Sequence, residues 1–169
     1  MSQEAAQVDP KERAVRDYLR HTVATVAYRG GKAIRGAPAG FPEFRPTPTS
    51  RSAGEVLAHV GDLFDWALNL ARGRPVWNDS KPQAWPEDSG RFFRALEAFD
   101  VLLASDEPIA ASPEKLFQGP VADALSHIGQ IAMLRRMAGA AIKGENYFKA
   151  DIAAGRVGTD QPPPRVEFD

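Results

Sequence analysis

The residues best suited to metal chemistry are two histidines and one aspartate, which lie in two separate apolar stretches of the chain. Asp123 and His127 are four positions apart in a segment with helical periodicity, so their side chains share one face. His59 falls in another apolar helical stretch, where an imidazole needs a polar partner. Two imidazoles and a carboxylate suit Zn²⁺, Ni²⁺ or Fe²⁺. The pattern therefore predicts a metal site at His59, Asp123 and His127, with Gln130 one turn further along the same stripe.

Other interpretations of these residues stay open. His59 could be a core histidine that bonds to a backbone carbonyl or to Glu55. Asp123 could be a favourable charge in the first turn of its helix, where the helix dipole stabilises an anion. In a bundle without metal, Asp123 and His127 could bond to each other. A hydrolase dyad of Ser126 and His127 is not expected, because adjacent helix positions do not face each other.

The composition is that of a globular protein with one domain over residues 1–169. The chain has a net charge of -1, an apolar fraction of 43% and no cysteine. This charge argues against nucleic-acid binding, which usually needs a basic surface. The lack of cysteine excludes disulfides and thiolate zinc sites. We see neither a signal-peptide pattern at the N-terminus nor an apolar stretch of membrane-spanning length, so we expect a cytoplasmic protein without a membrane segment.

Apolar residues at helical spacing predict an all-α fold with four main helices. They cover residues 11–28, 52–72, 88–104 and 119–138. Gly30 and Gly31 are expected to end the first helix. Ser52 and Glu55 form the pattern of a capping box at the start of the second helix. Gly119-Pro120 is expected to begin the fourth helix.

Proline-rich segments predict long connections between these helices. Residues 36–49 form one such loop, which Phe41 and Phe44 should hold against the bundle. Ser112-Pro113 resembles a helix cap that starts a short helical turn. Roughly the first nine and the last 15 residues are expected to be extended or frayed, and no strand is predicted. The tryptophans are interpreted as packing residues rather than as a substrate platform, and His21 as a structural or surface residue.

Four motifs, in this order and spacing, resemble those of the DinB-like proteins, a superfamily of metal-binding four-helix bundles that includes the mycothiol and bacillithiol transferases. The resemblance covers residues 10–152. The motifs are Leu57-Ala58-His59-Val60, Gly119-Pro120-Val121-Ala122-Asp123-Ala124-Leu125, His127-Ile128-Gly129-Gln130-Ile131 and Gly144-Glu145-Asn146-Tyr147-Phe148.

The resemblance implies an up-down-down-up bundle with a long crossover, a metal held by three side chains, and a homodimer. His59 and His127 match two of the family's ligands. The third ligand, typically histidine, lies where this chain has Asp123. A carboxylate ligand favours a harder ion that accepts oxygen donors. The identity of the metal therefore stays open among zinc, nickel and iron.

The resemblance implies an enzyme in which the metal activates a small thiol or water for transfer to a small-molecule electrophile. Gln130 would orient a metal ligand without itself contacting the ion. Glu145 and Tyr147 would line the mouth of the pocket if the C-terminal segment folds back. The alternative is a non-catalytic stress-response bundle with a structural or regulatory metal. In that case a further carboxylate, such as Glu55 or Asp62, would close the coordination sphere.

Overall fold

The computed structural model describes residues 8–168, which are predominantly helical as predicted. The element order is α1 (Pro10–Ile34), α2 (Ala53–Ala71), α3 (Trp85–Ala104), α4 (Pro113–Leu116), a π-helical turn (Phe117–Val121), α5 (Ala122–Met137), β1 (Gly144–Glu145), a 3₁₀ turn (Tyr147–Lys149) and β2 (Glu167–Phe168). Because α4, the π-helical turn and α5 follow one another without a break, we refer to them together as the fourth helix.

Helix α1 continues through the glycine pair that was expected to end it. It runs from the Asp9 cap to Ile34, so the prediction of an end near Tyr28 was wrong. A Cβ atom at Gly30 would lie 2.7 Å from Cζ of Phe92. This glycine therefore allows α3 to approach α1 closely.

Helix α2 begins as predicted. The Ser52 hydroxyl accepts from the backbone amide of Glu55, and the Glu55 carboxylate accepts from the backbone amide of Ser52. Both bonds satisfy amides that the first helical turn leaves free, so the capping box is confirmed. Helix α3 starts at Trp85, slightly earlier than predicted, with a proline in its first turn.

The fourth helix begins at Pro113 rather than at Gly119-Pro120, so this boundary was also wrong. The Ser112 hydroxyl accepts from the amide of Lys115, which confirms the predicted cap. Pro120 lies inside the helix, within the π-helical turn. Proline lacks an amide hydrogen and its ring crowds the carbonyl one turn earlier, and a wider turn accommodates both effects.

Contacts at the helix ends give the directions of the four helices. The Arg13 side chain, at the start of α1, donates to the carbonyl of Ala104 at the end of α3. Near the start of α3, Arg91 donates to the Ala58 carbonyl in α2. The amide of Ala110, just beyond α3, donates to the Ala71 carbonyl at the end of α2. Helix α1 is therefore antiparallel to α3, whereas α2 and α3 are parallel.

The fourth helix runs in the direction of α1. Arg135, near its end, donates to the carbonyls of Ala33 and Arg35 at the end of α1. It is antiparallel to α2, because Gly119 lies beside Trp66 while His127 lies beside His59. The helices of the described chain thus run up, down, down and up, and residues 72–84 must cross the length of the bundle to connect α2 with α3.

One continuous apolar core fills the space between the helices. The loop after α1 is fixed to it by Phe41, which is buried and packs edge-on against Trp85, while Phe44 is partly buried. The predicted anchoring of this loop is therefore confirmed. Among residues 8–168, no helix combines the length and apolar character needed to cross a membrane.

The C-terminal segment is extended, which is one of the two forms expected, and it is anchored to the bundle by two short strands that were not predicted. Strand β2 pairs with β1 in antiparallel fashion, and Val157 is buried. Lys32 donates to the carboxylates of both Glu145 and Glu167, at 2.7 and 2.8 Å. The Tyr28 hydroxyl also donates to Glu145, and burial together with this carboxylate raises the pKa of Tyr28. The expected extension of the first nine residues falls almost wholly on residues 1–7, outside the described chain.

Candidate metal centre

The antiparallel packing of α2 against the fourth helix brings the three predicted ligands together. Nε2 of His59 lies 3.7 Å from one carboxylate oxygen of Asp123, and Nε2 of His127 lies 3.5 Å from the other. The ring centroids of the two histidines are 4.6 Å apart. One ligand atom from each side chain falls within 4.8 Å of the others. Among the described residues this is the only such group.

The two histidine-to-carboxylate distances are close to those between ligands of a tetrahedral metal site. Two ligand atoms at about 2.0–2.1 Å from a tetrahedral ion are roughly 3.3 Å apart. The observed distances of 3.5 and 3.7 Å exceed that value by only a few tenths of an ångström. They are also longer than good hydrogen bonds, so Asp123 is not directly bonded to either ring. These two distances end on different oxygens of Asp123, and one ligand atom from each residue lies within 4.8 Å of the others, so the three side chains could hold a divalent ion after drawing closer together.

A hydrogen bond between Nδ1 of His127 and Gln130 orients the imidazole ring, with its other nitrogen, Nε2, towards the cluster. Nδ1 of His127 lies 2.9 Å from Oε1 of Gln130. Because an amide oxygen can only accept, this contact is a hydrogen bond when Nδ1 carries the proton, and Nε2, the nitrogen nearer to Asp123, is then the atom that could bind a metal. Metal-binding histidines are commonly oriented in this way by a partner on the second nitrogen.

The surroundings of His59 favour its neutral form, which is the form that binds metals. Burial is the largest cause of the lowered pKa of His59, followed by the nearby His127 and Arg51, and the Asp123 carboxylate partly opposes the shift. The exposed fractions are 19% for the His59 side chain and 48% for that of Asp123. The site is thus half-buried, with its carboxylate at the surface side.

The interpretation of Asp123 as a favourable charge in the first turn of its helix is weakened, because the fourth helix begins well before this residue. Val121, which precedes α5, already has helical backbone angles of φ −71° and ψ −48°. Asp123 therefore lies well beyond the free end at Pro113, and dipole stabilisation falls off after the first turn. The bond of His59 to Glu55 that was also considered is not formed, because Glu55 binds Ser52 and Arg45.

An aromatic wall beside His59 is a feature that sequence reasoning missed. The Trp77 ring lies 5.4 Å from the His59 ring and 5.7 Å from that of Trp66. Trp77 belongs to the crossover between α2 and α3. That crossover is fixed nearby, since Ser80 donates to the carboxylate of Asp62 through both its amide and its hydroxyl. The sequence gives no periodic signal in this segment, so the contact could not be predicted.

His59 and His127 line one end of a surface pocket of about 600 Å³. Its lining residues come from α2, from α5 and from the loop before α2. They are Pro46, Ser50, Arg51, Val56, His59, His127, Gln130, Met133, Leu134 and Met137. A ligand in this pocket would have direct access to the histidine side of the cluster.

The other residues considered for this site have different partners. Asp62 is buried and accepts from Ser80 and Arg91 rather than facing the histidines. Glu145 is buried against Tyr28 and Lys32. Tyr147 lines, together with Glu145, a separate pocket. Within the described chain, neither Glu55 nor Asp62 is placed to close the coordination sphere.

Comparisons of the chain with protein-family models, with curated proteins and with solved structures find no match. The geometry of the three side chains is therefore the main evidence for a site.

Proposed function

We propose that the protein is a DinB-like metal-binding bundle in which His59, Asp123 and His127 hold one divalent zinc, nickel or iron ion. The observation that supports this most directly is the convergence of one ligand atom from each residue within 4.8 Å. The up-down-down-up course of the helices agrees with the resemblance to this family. The homodimer that the resemblance implies is part of the proposal, as is a cytoplasmic location.

We further propose that the site is catalytic and acts on a small molecule. A bound ion would lower the pKa of a thiol or water that shares its coordination sphere. His59 and His127 would position that group at the end of the pocket, where they are lining residues. Gln130 keeps the His127 ring oriented, and Trp77 shields one side of His59. Asp123 would balance part of the ion's charge.

The pocket favours this function over a purely structural metal. Structural zinc sites are usually closed by four protein ligands, whereas catalytic sites keep a position open. Here three ligands converge, and the carboxylates of Glu55 and Asp62 are engaged with Arg45 and Arg91. A structural or regulatory metal remains the alternative, and it predicts that no small thiol binds at the ion.

Metal analysis of protein purified without a metal-affinity tag tests the proposal. We expect about one equivalent of metal per chain, and we expect it to be lost in both His59→Ala and Asp123→Ala. His21→Ala is the matched control, because His21 is an exposed histidine in α1 and is not part of the cluster. If the protein takes up no zinc, nickel or iron after incubation with each ion, the proposed function is wrong.

A further inference from the structure

The pocket beside the histidines is an elongated groove between α2 and α5. His127, Gln130, Leu134 and Met137 follow one another at helical spacing along one face of the fourth helix, and all four line the pocket. Ten residues of α-helix extend over about 15 Å. Since α2 is antiparallel, the start of α2 lies near the far end of this stripe. The groove thus leads away from the metal ligands towards Arg51.

The middle of the groove is lined by apolar side chains that an apolar ligand could bury. Val56 and Leu134 are buried with exposed fractions of 2% and 7%, so they form its floor. Met133 and Met137 are exposed to 57% and 54%. Half-exposed thioether side chains adapt well to ligands of different shape. An apolar chain laid in the groove would remove these methionines from water, which is favourable.

The charges along the groove have a single sign. Arg51 is a lining residue and carries a positive charge. None of the described residues that line the pocket carries a carboxylate. Within residues 8–168, Arg51 also forms no ion pair with an acidic side chain, in contrast to Arg45, which binds Glu55. Its guanidinium is therefore available to an anionic group of a ligand.

From these observations we infer the substrate class: an elongated, largely aliphatic molecule with a thiol or other metal-binding group at one end and a carboxylate or similar anion at the other. The anion pairs with Arg51, the aliphatic part packs on Val56, Met133 and Met137, and the reactive end reaches the histidines. The position of the reactive end rests on the proposed metal function, whereas the binding of the anionic and apolar parts does not.

Methyl NMR of the methionines tests this inference. The chain has three methionines, and two of them, Met133 and Met137, line the groove. We would label the methionine methyl groups with ¹³C and titrate 6-mercaptohexanoate or the neutral 6-mercaptohexan-1-ol into metal-free and Zn²⁺-loaded protein. Both groove signals should shift, and the acid should bind about fivefold more tightly than the alcohol in both forms, as expected for an accessible ion pair.

Two arginine variants test whether Arg51 causes the tighter binding of the acid. Arg51→Gln should remove it, while the control Arg94→Gln, at an exposed position on α3, should retain it. Equal binding of acid and alcohol, a preference that survives in Arg51→Gln, or groove signals that do not shift would overturn the inference.

The same samples separate this inference from the proposed metal function. A protein that takes up no zinc, nickel or iron but keeps the Arg51-dependent preference refutes the metal function alone. A protein that binds Zn²⁺ without that preference refutes the substrate class alone.

Discussion

Removal of the Gln130 side chain should weaken metal binding without weakening the fold. In Gln130→Ala, Nδ1 of His127 loses its acceptor at 2.9 Å, and the ring is free to turn away from Asp123. Loss of such a partner typically reduces metal affinity by about 10- to 100-fold, or roughly 1.4–2.7 kcal/mol. Gln130 is exposed, so water can replace part of its bond, and only one of three ligands is affected. We therefore expect the lower end, about tenfold.

The affinity for Zn²⁺ would be measured by competition with a chromophoric chelator, and the stability by urea unfolding in the presence of EDTA. The unfolding free energy of metal-free Gln130→Ala should stay within about 0.5 kcal/mol of the parent, as for other exposed positions. Ser126→Ala is the matched control, since its hydroxyl bonds only to a backbone carbonyl of its own helix. Gln130→Glu should keep or raise the affinity, because a carboxylate is a stronger acceptor for Nδ1–H. An unchanged affinity in Gln130→Ala would refute the reasoning.

Three further predictions concern packing, pH and fluorescence. Gly30→Ala places a methyl group 2.7 Å from Phe92 and should lower the unfolding free energy by about 1 kcal/mol, because overpacking exceeds the gain in helix propensity. Gly129→Ala, which meets nothing within 4 Å, should instead raise it by up to about 1 kcal/mol; equal effects in urea unfolding would contradict this pair. Burial lowers the pKa of His59, so the unfolded chain takes up this proton at higher pH than the folded protein. In EDTA, the stability of His59→Gln relative to the parent should therefore rise as the pH falls from about 7.5 to about 5, and a constant difference would refute the assignment. Because Trp77 lies beside His59, Ni²⁺ should quench tryptophan fluorescence, and Trp77→Phe should lose most of that quenching; full quenching in the variant would place the ion elsewhere.

Local signals predicted the parts of the fold that local interactions decide. The capping box at Ser52 and Glu55 needs only residues within one helical turn, and it forms as predicted. The grouping of Asp123 with His127 follows in the same way from their spacing along one helix. His59 was grouped with them because antiparallel packing of a second helix can bring it across, and the resemblance to known bundles gave this prediction further support, since local periodicity does not encode helix packing.

The wrong boundaries arose where tertiary contacts outweigh local preferences. Gly30 normally marks a helix end, yet here it lies under Phe92 of another helix. Pro120 normally marks a helix start, yet a π-helical turn incorporates it. The C-terminal segment is polar and rich in proline, but Lys32 binds both Glu145 and Glu167 and holds it in place. Each of these interactions joins residues that are distant in sequence or depends on an unusual turn.

The most direct test of the metal centre is a crystal structure of the Zn²⁺-loaded protein with anomalous diffraction data collected on both sides of the zinc absorption edge. We predict one anomalous peak per chain, about 2.0–2.1 Å from Nε2 of His59 and of His127 and about 2.0–2.2 Å from a carboxylate oxygen of Asp123. The pocket side of the ion should carry no fourth protein ligand. A peak at any other group of side chains, or no peak between these three residues, would contradict the proposed site.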